Sequence, residues 1–368
     1  MNIKIIRGAF LNPFELQNFY PLSDKHSLEV ISSKRPLSDK INLPLKKLLS
    51  PADIPNIPFK YPILNRIFID AQVLYGLEKA IAGADIVHVA ETYYGYTYQA
   101  IMAKKRGLVK KIVSTVWETK AFNNQSLEGR AKTKRMAKKY IDHFLAVTAK
   151  AKEALIKEGI SAKKITVIPM GVDVARFKPR PHLKNKRDLN ILCVARLVPE
   201  KGILTLLDAF LTLKQKHKNL TLTFIGNGRL KRDLVGYRGV FVKSVPYSKM
   251  PQEYASSDIF CLPSINTSTW EEQFGMSLVE AMASGLPIVT TKSGAIPEVC
   301  GGVASLVKPK NSHVLAHALE KLIYNSEVRK KMGLASRLRA EQEYDHQKIA
   351  KKIAKLYKQL NVHKKTSP

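Results

Sequence analysis

One pattern constrains this chain more than any other: short apolar runs alternate with helical periodicity, and the alternation starts over halfway along. Residues 3–6, 87–89, 111–116, 144–147 and 165–168 read as strands, with helical patterns at 74–82, 98–105 and 149–158 between them. A stretch with two prolines and five charges follows at 179–188 and reads as a linker. Strand signals then resume at 189–194, 220–225, 240–242, 259–262, 287–290 and 304–307. Helices are expected at 203–215, 250–256, 277–284 and 313–324, and mostly helical sequence from 327 onward. Buried strands separated by helices predict parallel sheets covered on both faces. The chain's 368 residues suffice for two such α/β domains, each with its own core. The expected boundaries are 1–182, 183–340 and a last helix with a basic tail over 341–368.

Cys193, Cys261 and Cys300 lie far apart in apolar runs, which predicts buried inert thiols and neither a disulfide framework nor a zinc site. Residues 1–7 are too short and too charged for a signal peptide, and no long uncharged apolar window predicts a membrane span. The expectation is a cytoplasmic protein. Its formal charge of +31 calls for an anionic partner or a solvated lysine face. Residues 101–160 concentrate that charge, and 130–139 read as a basic amphipathic helix. Lysine predominates and no aromatic nucleic-acid motif accompanies it. An anionic membrane surface is therefore the favoured macromolecular partner, with nucleic-acid binding as the rival class.

Two short segments of the second half carry chemistry. After strand 189–194 comes Ala195-Arg196-Leu197-Val198-Pro199-Glu200-Lys201-Gly202, running into a helix. Cations at a strand's carboxyl end beside a helix start suit a diphosphate; alternatively Arg196 pairs with a structural carboxylate and Lys201 is solvated. The second segment is Glu272-Gln273-Phe274-Gly275-Met276-Ser277-Leu278-Val279-Glu280, followed by Ala281-Met282-Ala283-Ser284-Gly285-Leu286-Pro287. Ser277 and Glu280 fit a capping box. Gly275 permits close backbone approach, and the amides of Met276, Ser277 and Leu278 are available to phosphate oxygens. On spacing alone, Glu280 is also readable as a cap and Glu272 as a surface acid.

Taken together, these segments resemble the retaining glycosyltransferases of family 4, the group 1 transferases. Phe224-Ile225-Gly226-Asn227-Gly228, Asp258 through Ser264, Ser293 through Glu298, Gly83 through His88 and Val167 through Asp173 match the same family in order. The resemblance implies a GT-B fold, with two Rossmann-like domains facing across a cleft, the second holding a nucleotide-diphosphate sugar. It implies that Glu280 binds the ribose, that Glu272 lies beside the donor sugar, and that the 274–278 loop offers backbone amides. Arg196 and Lys201 would neutralise the departing diphosphate. It implies no cofactor and no metal, and no Asp-x-Asp motif appears. The last helix would pack back on the first domain. The expected activity is transfer of a hexose, with retention, to a cell-envelope glycan or lipid-linked saccharide at the membrane's inner face. A silent homologue is an alternative. Sucrose-type transferases are disfavoured by their expected extra length.

The first half departs from the family pattern twice. The usual Gly-rich first loop is reduced to Arg7-Gly8-Ala9-Phe10, so donor contact there rests on Gly8. Where many members have a His after the third strand, this chain has Trp117-Glu118-Thr119. Glu118 is readable as a sugar-contacting or acid/base group, or as a structural carboxylate paired with lysines. Glu91 and Tyr94, in an aromatic cluster after a strand end, are acceptor-side candidates. His88 reads as a satisfied buried histidine.

Overall fold

The computed structural model describes all residues except 56, 58, 69, 180–187 and 363–368. The expected linker therefore lies largely outside the described residues, as does the end of the basic tail. The chain divides into two compact units, 1–170 with 347–368, and 171–346.

The first unit holds seven strands: β1 (Asn2–Gly8), β2 (Ser27–Ser33), β3 (Leu45–Leu48), β4 (Ala84–Ala90), β5 (Val109–Val116), β6 (His143–Ala146) and β7 (Ile165–Val167). Their order is β3-β2-β1-β4-β5-β6-β7, and every pair is parallel. The central strands are buried along nearly their whole length, which is why they appear as continuous apolar runs. β2 and β3, absent from the expected strands, lie toward one edge: β2 has polar ends, and β3 is Leu-Lys-Lys-Leu with both lysines exposed. One core cluster gathers Val87, Ile112, Phe144, Ala137 and Leu155. A second joins Ile3, Ile5, Phe19 and Ile86 to Ile349, Ile353 and Tyr357 of the His346–Val362 helix. The Tyr357 hydroxyl hydrogen-bonds Nδ1 of the fully buried His88, whose Nε2 meets Thr115 Oγ1 at 2.7 Å. His88 is thus a satisfied core histidine, and burial pulls its pKa well down.

The second unit holds β8 (Asn190–Val194), β9 (Thr221–Ile225), β10 (Val240–Lys243), β11 (Ile259–Leu262), β12 (Ile288–Thr291) and β13 (Ser305–Val307), ordered β10-β9-β8-β11-β12-β13 and again all parallel. The boundary falls after residue 170, earlier than the expected 182. Residues 172–177 belong with the second unit because Val172 bridges to Asp345, Arg337 Nη1 donates to the carbonyls of Val174 and Phe177 at 2.9 and 2.7 Å, and Phe177 packs edge-on against Tyr254. The mostly helical sequence expected from 327 onward forms two helices, Ser326–Glu343 and His346–Val362. All three cysteines are buried and free, with burial pushing the Cys193 and Cys300 thiols up to about 12.

Both strand orders reverse direction beside their first strand, between β1 and β4 and between β8 and β11. In open α/β sheets the crevice outside the carboxyl ends at such a point is where ligands bind. The segments with chemistry leave those strand ends: 7–10 and 91–98 in the first unit, 195–202 and 263–275 in the second.

Candidate functional site

In the second unit, the loops leaving β8 and β11 are locked together by backbone. Gly202 has φ +68°, and a Cβ there would lie 2.0 Å from the Pro263 carbonyl oxygen. The Ile265 N–H donates to the Glu200 carbonyl at 2.9 Å. This contact brings Lys201 to Glu272, Nζ to Oε2 at 2.6 Å, although 71 positions separate them. Ser264 Oγ donates to the same Oε2 at 2.6 Å, and the Lys201 ammonium sits 4.7 Å from the centre of the Trp270 ring. The pair is nearly closed to water, with side chains 13% and 7% exposed. Neither the solvated reading of Lys201 nor the surface reading of Glu272 survives. Arg196 is different: its side chain is 62% exposed and pairs with Glu200 at 3.4 Å, so it stands outside the Lys201–Glu272–Ser264 cluster.

The capping-box expectation is corrected. The Met276–Ala283 helix has Gly275 as its N-cap, at φ +83°, so Ser277 is already the second helical residue and Glu280 lies past the first turn. The Leu278 N–H turns to the Gly275 carbonyl at 2.9 Å, and the N–H groups of Met276 and Ser277 remain at the helix start. The Phe274 side chain is buried edge-on against Tyr344 and anchors the loop rather than facing a ligand. Glu280 is buried and accepts from the Tyr254 hydroxyl at 2.7 Å. Burial pushes its carboxyl up to about 7, against the opposing pull of the Tyr254 and Tyr247 hydroxyls and the Arg176 charge. Arg176 stacks over Tyr247 at 4.5 Å and donates to its carbonyl. Ser264, Trp270, Tyr254 and Arg176 were not singled out from sequence. Only Ser264, inside a matched motif, carried a signal.

In the first unit, Gly8 ends β1 beneath Gln72, whose Oε1 accepts from the Ala9 N–H at 2.9 Å. Glu91, after β4, adopts φ +59°, a left-handed conformation costly for a side chain of its size. Its carbonyl accepts from Thr97 and Ser114 hydroxyls, and its Oε1 from the Trp117 N–H at 2.9 Å. Its buried Oε2 has no partner. Burial pushes this carboxyl up to about 8, with the nearby Glu118 charge adding to the rise. Glu118 itself accepts from the Lys120 N–H and the Asn123 and Asn124 side-chain amides, at 2.8–2.9 Å. Its partners are loop amides, not the expected lysines, and it organises the 118–124 loop. Tyr94 is half-buried among Phe10, Tyr93 and Tyr96.

Because Glu91 is protonated up to about pH 8 in the fold but only to about 4.5 in a free chain, its contribution to stability is fully present below pH 4.5. It is lost as pH rises through about 8. Glu91→Gln is expected to gain about 5 °C in Tm relative to the parent between pH 5 and pH 9. Melting curves that keep a constant offset across that range would contradict the burial argument.

Among the described residues no group of three or more His, Cys, Asp or Glu side chains is placed to hold a metal ion, and no helix is long and apolar enough to cross a membrane. A family model for glycosyl transferases group 1 matches residues 174–339, and one for glycosyltransferase family 4 matches residues 22–176. The chain belongs to glycosyltransferase family 4. The chain is 30% identical over 236 residues to an MMP alpha-(1->4)-mannosyltransferase of Mycolicibacterium hassiacum, covering 61% of this chain and 55% of the relative. It is 30% identical over 218 residues to the putative colanic acid biosynthesis glycosyltransferase WcaL of Escherichia coli, covering 56% and 54%. The chain thus matches about half the length of these curated relatives. Its fold is the GT-B fold. The Anabaena HepE structure with UDP and glucose aligns at TM-score 0.77 and 20% identity over 97% of this chain and 99% of that one. A sucrose-phosphate synthase of Thermosynechococcus elongatus also aligns at 0.77, with 18% identity, over 98% and 99%. Length therefore does not set the sucrose-type transferases apart, contrary to the expectation from sequence.

Proposed function

We propose that this chain is a retaining glycosyltransferase that moves a hexose from a UDP- or GDP-sugar to a hydroxyl of a cell-envelope glycan or lipid-linked saccharide. The observation that carries this reading is the Lys201–Glu272–Ser264 cluster at the β8/β11 switch point, beside the free amides of Met276 and Ser277. A leaving nucleoside diphosphate gains negative charge in the transition state, and a preformed cation with helix-start amides stabilises that charge. Arg196, exposed beside it, would join when a diphosphate arrives. Glu272 would accept from hydroxyls of the donor sugar. Glu280 would accept from the ribose, and Gly8 would let the first unit's backbone approach the donor. The names of relatives that act in colanic acid biosynthesis or transfer mannose favour an envelope glycan. The HepE structure with UDP and glucose supports a nucleotide-sugar donor. On the acceptor side, Glu91 and Tyr94 sit at the β1/β4 switch point, with Glu118 in the neighbouring loop. The lysines of the 104–139 stretch would hold the protein against anionic headgroups at the membrane's inner face.

A thermal-shift screen of UDP, GDP and their sugars tests the donor site: a ligand at about 100 times its Kd adds ~2.7 kcal/mol of stability. An ionised carboxylate accepts from the ribose hydroxyls more strongly than a protonated one, so nucleotide affinity should fall as Glu280 takes up its proton. The expected result is Kd weakening about tenfold between pH 8 and pH 6. Glu280→Ala should lose both binding and this pH dependence. Stabilisation by none of the nucleotides would overturn the donor assignment, and catalysis unchanged by EDTA would support chemistry without a metal.

A further inference from the structure

The basic helix of the first unit, Glu128–Tyr140, turns a stripe of its cations toward a pocket rather than toward open solvent. Ala131, Lys134, Arg135 and Lys138 stand at i, i+3, i+4 and i+7, the spacing with which a helix normally presents apolar side chains to a core. Here the same spacing lines a pocket of about 390 Å³, together with Phe122 of the 118–127 loop and Glu158. That volume lies in the range of small-ligand sites.

The pocket is built and not merely lined by stray lysines. Lys134 is recessed, its side chain 7% exposed, with Nζ fixed by Glu158 at 2.6 Å and by the Asn123 carbonyl at 2.8 Å. Glu158 also accepts from the Phe122 N–H at 2.8 Å, so it ties the loop to the helix. Gly159, at φ +83°, leaves the space that Lys138 Nζ occupies: a Cβ there would lie 2.4 Å from the ammonium. The Phe122 ring, 56% exposed, offers an apolar face beside the cations. Against three cations the pocket lining sets only Glu158, already engaged by Lys134, while Glu128 pairs with Arg135 from outside the lining.

We propose that this pocket binds an acidic saccharide, a sugar ring bearing a carboxylate or a phosphate, and that the acceptor of this enzyme carries such a group. The ring would lie on Phe122 with its charge on Arg135 and Lys138. Thr92, which also lines the pocket, follows Glu91 directly, so an acidic group held here lies close in sequence to the acceptor-side candidates. Recessed Lys134, standing behind the outer cations, suits a ligand that enters the pocket, which leaves the stretch's lysines outside the pocket lining to meet a flat anionic membrane. The inference of an acceptor rests on the transferase reading, while binding to the pocket does not.

Ligand-observed NMR titration of the full chain with three probes tests it: a digalacturonate, glucose 6-phosphate and uncharged maltose. The expected result is binding of one or both acidic probes and at least tenfold weaker binding of maltose. Arg135→Glu with Lys138→Glu should weaken the acidic probe at least tenfold. Lys132→Glu with Lys139→Glu, the same charge change outside the pocket lining, should leave it within twofold. Binding of digalacturonate alone assigns the group to a carboxylate, and of glucose 6-phosphate alone to a phosphate. Equal loss in both double variants would show a diffuse basic field and overturn the pocket. So would binding only to anionic vesicles of phosphatidylglycerol, with neither acidic probe bound. UDP or GDP binding, measured on the same variants, should not change. If no nucleotide binds while the acidic probe still does, the transferase reading fails and the pocket stands.

Discussion

Replacing Lys201 with alanine is expected to slow sugar transfer, or donor hydrolysis in its absence, by two to three orders of magnitude. That is the loss seen when one preorganised charge-stabilising donor is removed from a transition state. The variant carries a second cost. Glu272 lies in a nearly closed site, so loss of its cation strands a buried carboxylate, at about 3 kcal/mol. A fall in rate from Lys201→Ala alone therefore mixes chemistry with stability. The double variant Lys201→Met with Glu272→Gln removes both charges and keeps the volume, and should recover most of the lost Tm while remaining inactive. Recovery of stability without activity places the pair in the chemistry. A double variant that regains wild-type turnover would remove it from the site.

The second large effect is expected from Gly202→Ala. Its added Cβ meets the Pro263 carbonyl oxygen at 2.0 Å, a backbone group that cannot rotate away, and the residue must keep φ +68°. Left-handed strain and overlap together should cost about 3 kcal/mol or more. Gly302→Ala is the control: φ there is +87°, with nothing within 4 Å of the new Cβ, so it bears conformational strain alone, about 1 kcal/mol. Denaturant unfolding should rank the two in that order, and nucleotide binding should be lost only in Gly202→Ala, where the loop that presents Lys201 is displaced. Equal costs would mean that the close approach of the β8 and β11 loops is not what holds the site together.

These particular residues also show how far the sequence could be read. Strands such as β4, β6, β11 and β12 are buried on both faces and appear as largely apolar runs, so the two parallel sheets were legible. β3, with its exposed lysines, carries no such signal, and neither does the Ile296–Cys300 helix, five residues long with proline near its start. Ser277-x-x-Glu280 satisfied a local capping rule, but the glycine before it takes the cap, because only a left-handed residue turns the loop into that helix. The matched motifs located Glu272, Glu280 and Lys201. The partners of those residues were not legible: Lys201 meets Glu272 only because β8 and β11 are neighbours out of sequence order, and Tyr254 meets Glu280 through a helix between two other strands. Glu118 was ambiguous for the same reason, until the 118–124 loop folded its amides onto the carboxylate. The cation stripe of the Glu128–Tyr140 helix was visible as charge, but not as a pocket wall, since that needs the loop and Glu158 opposite it.

The most direct measurement is a crystal structure of this protein with UDP or GDP bound. Phosphate oxygens within about 2.7–3.2 Å of Lys201 Nζ and of the Met276 and Ser277 amides, with the ribose on Glu280, are the predicted result. A well-ordered nucleotide whose diphosphate lies away from those groups, with Lys201 still paired to Glu272 alone, would contradict it.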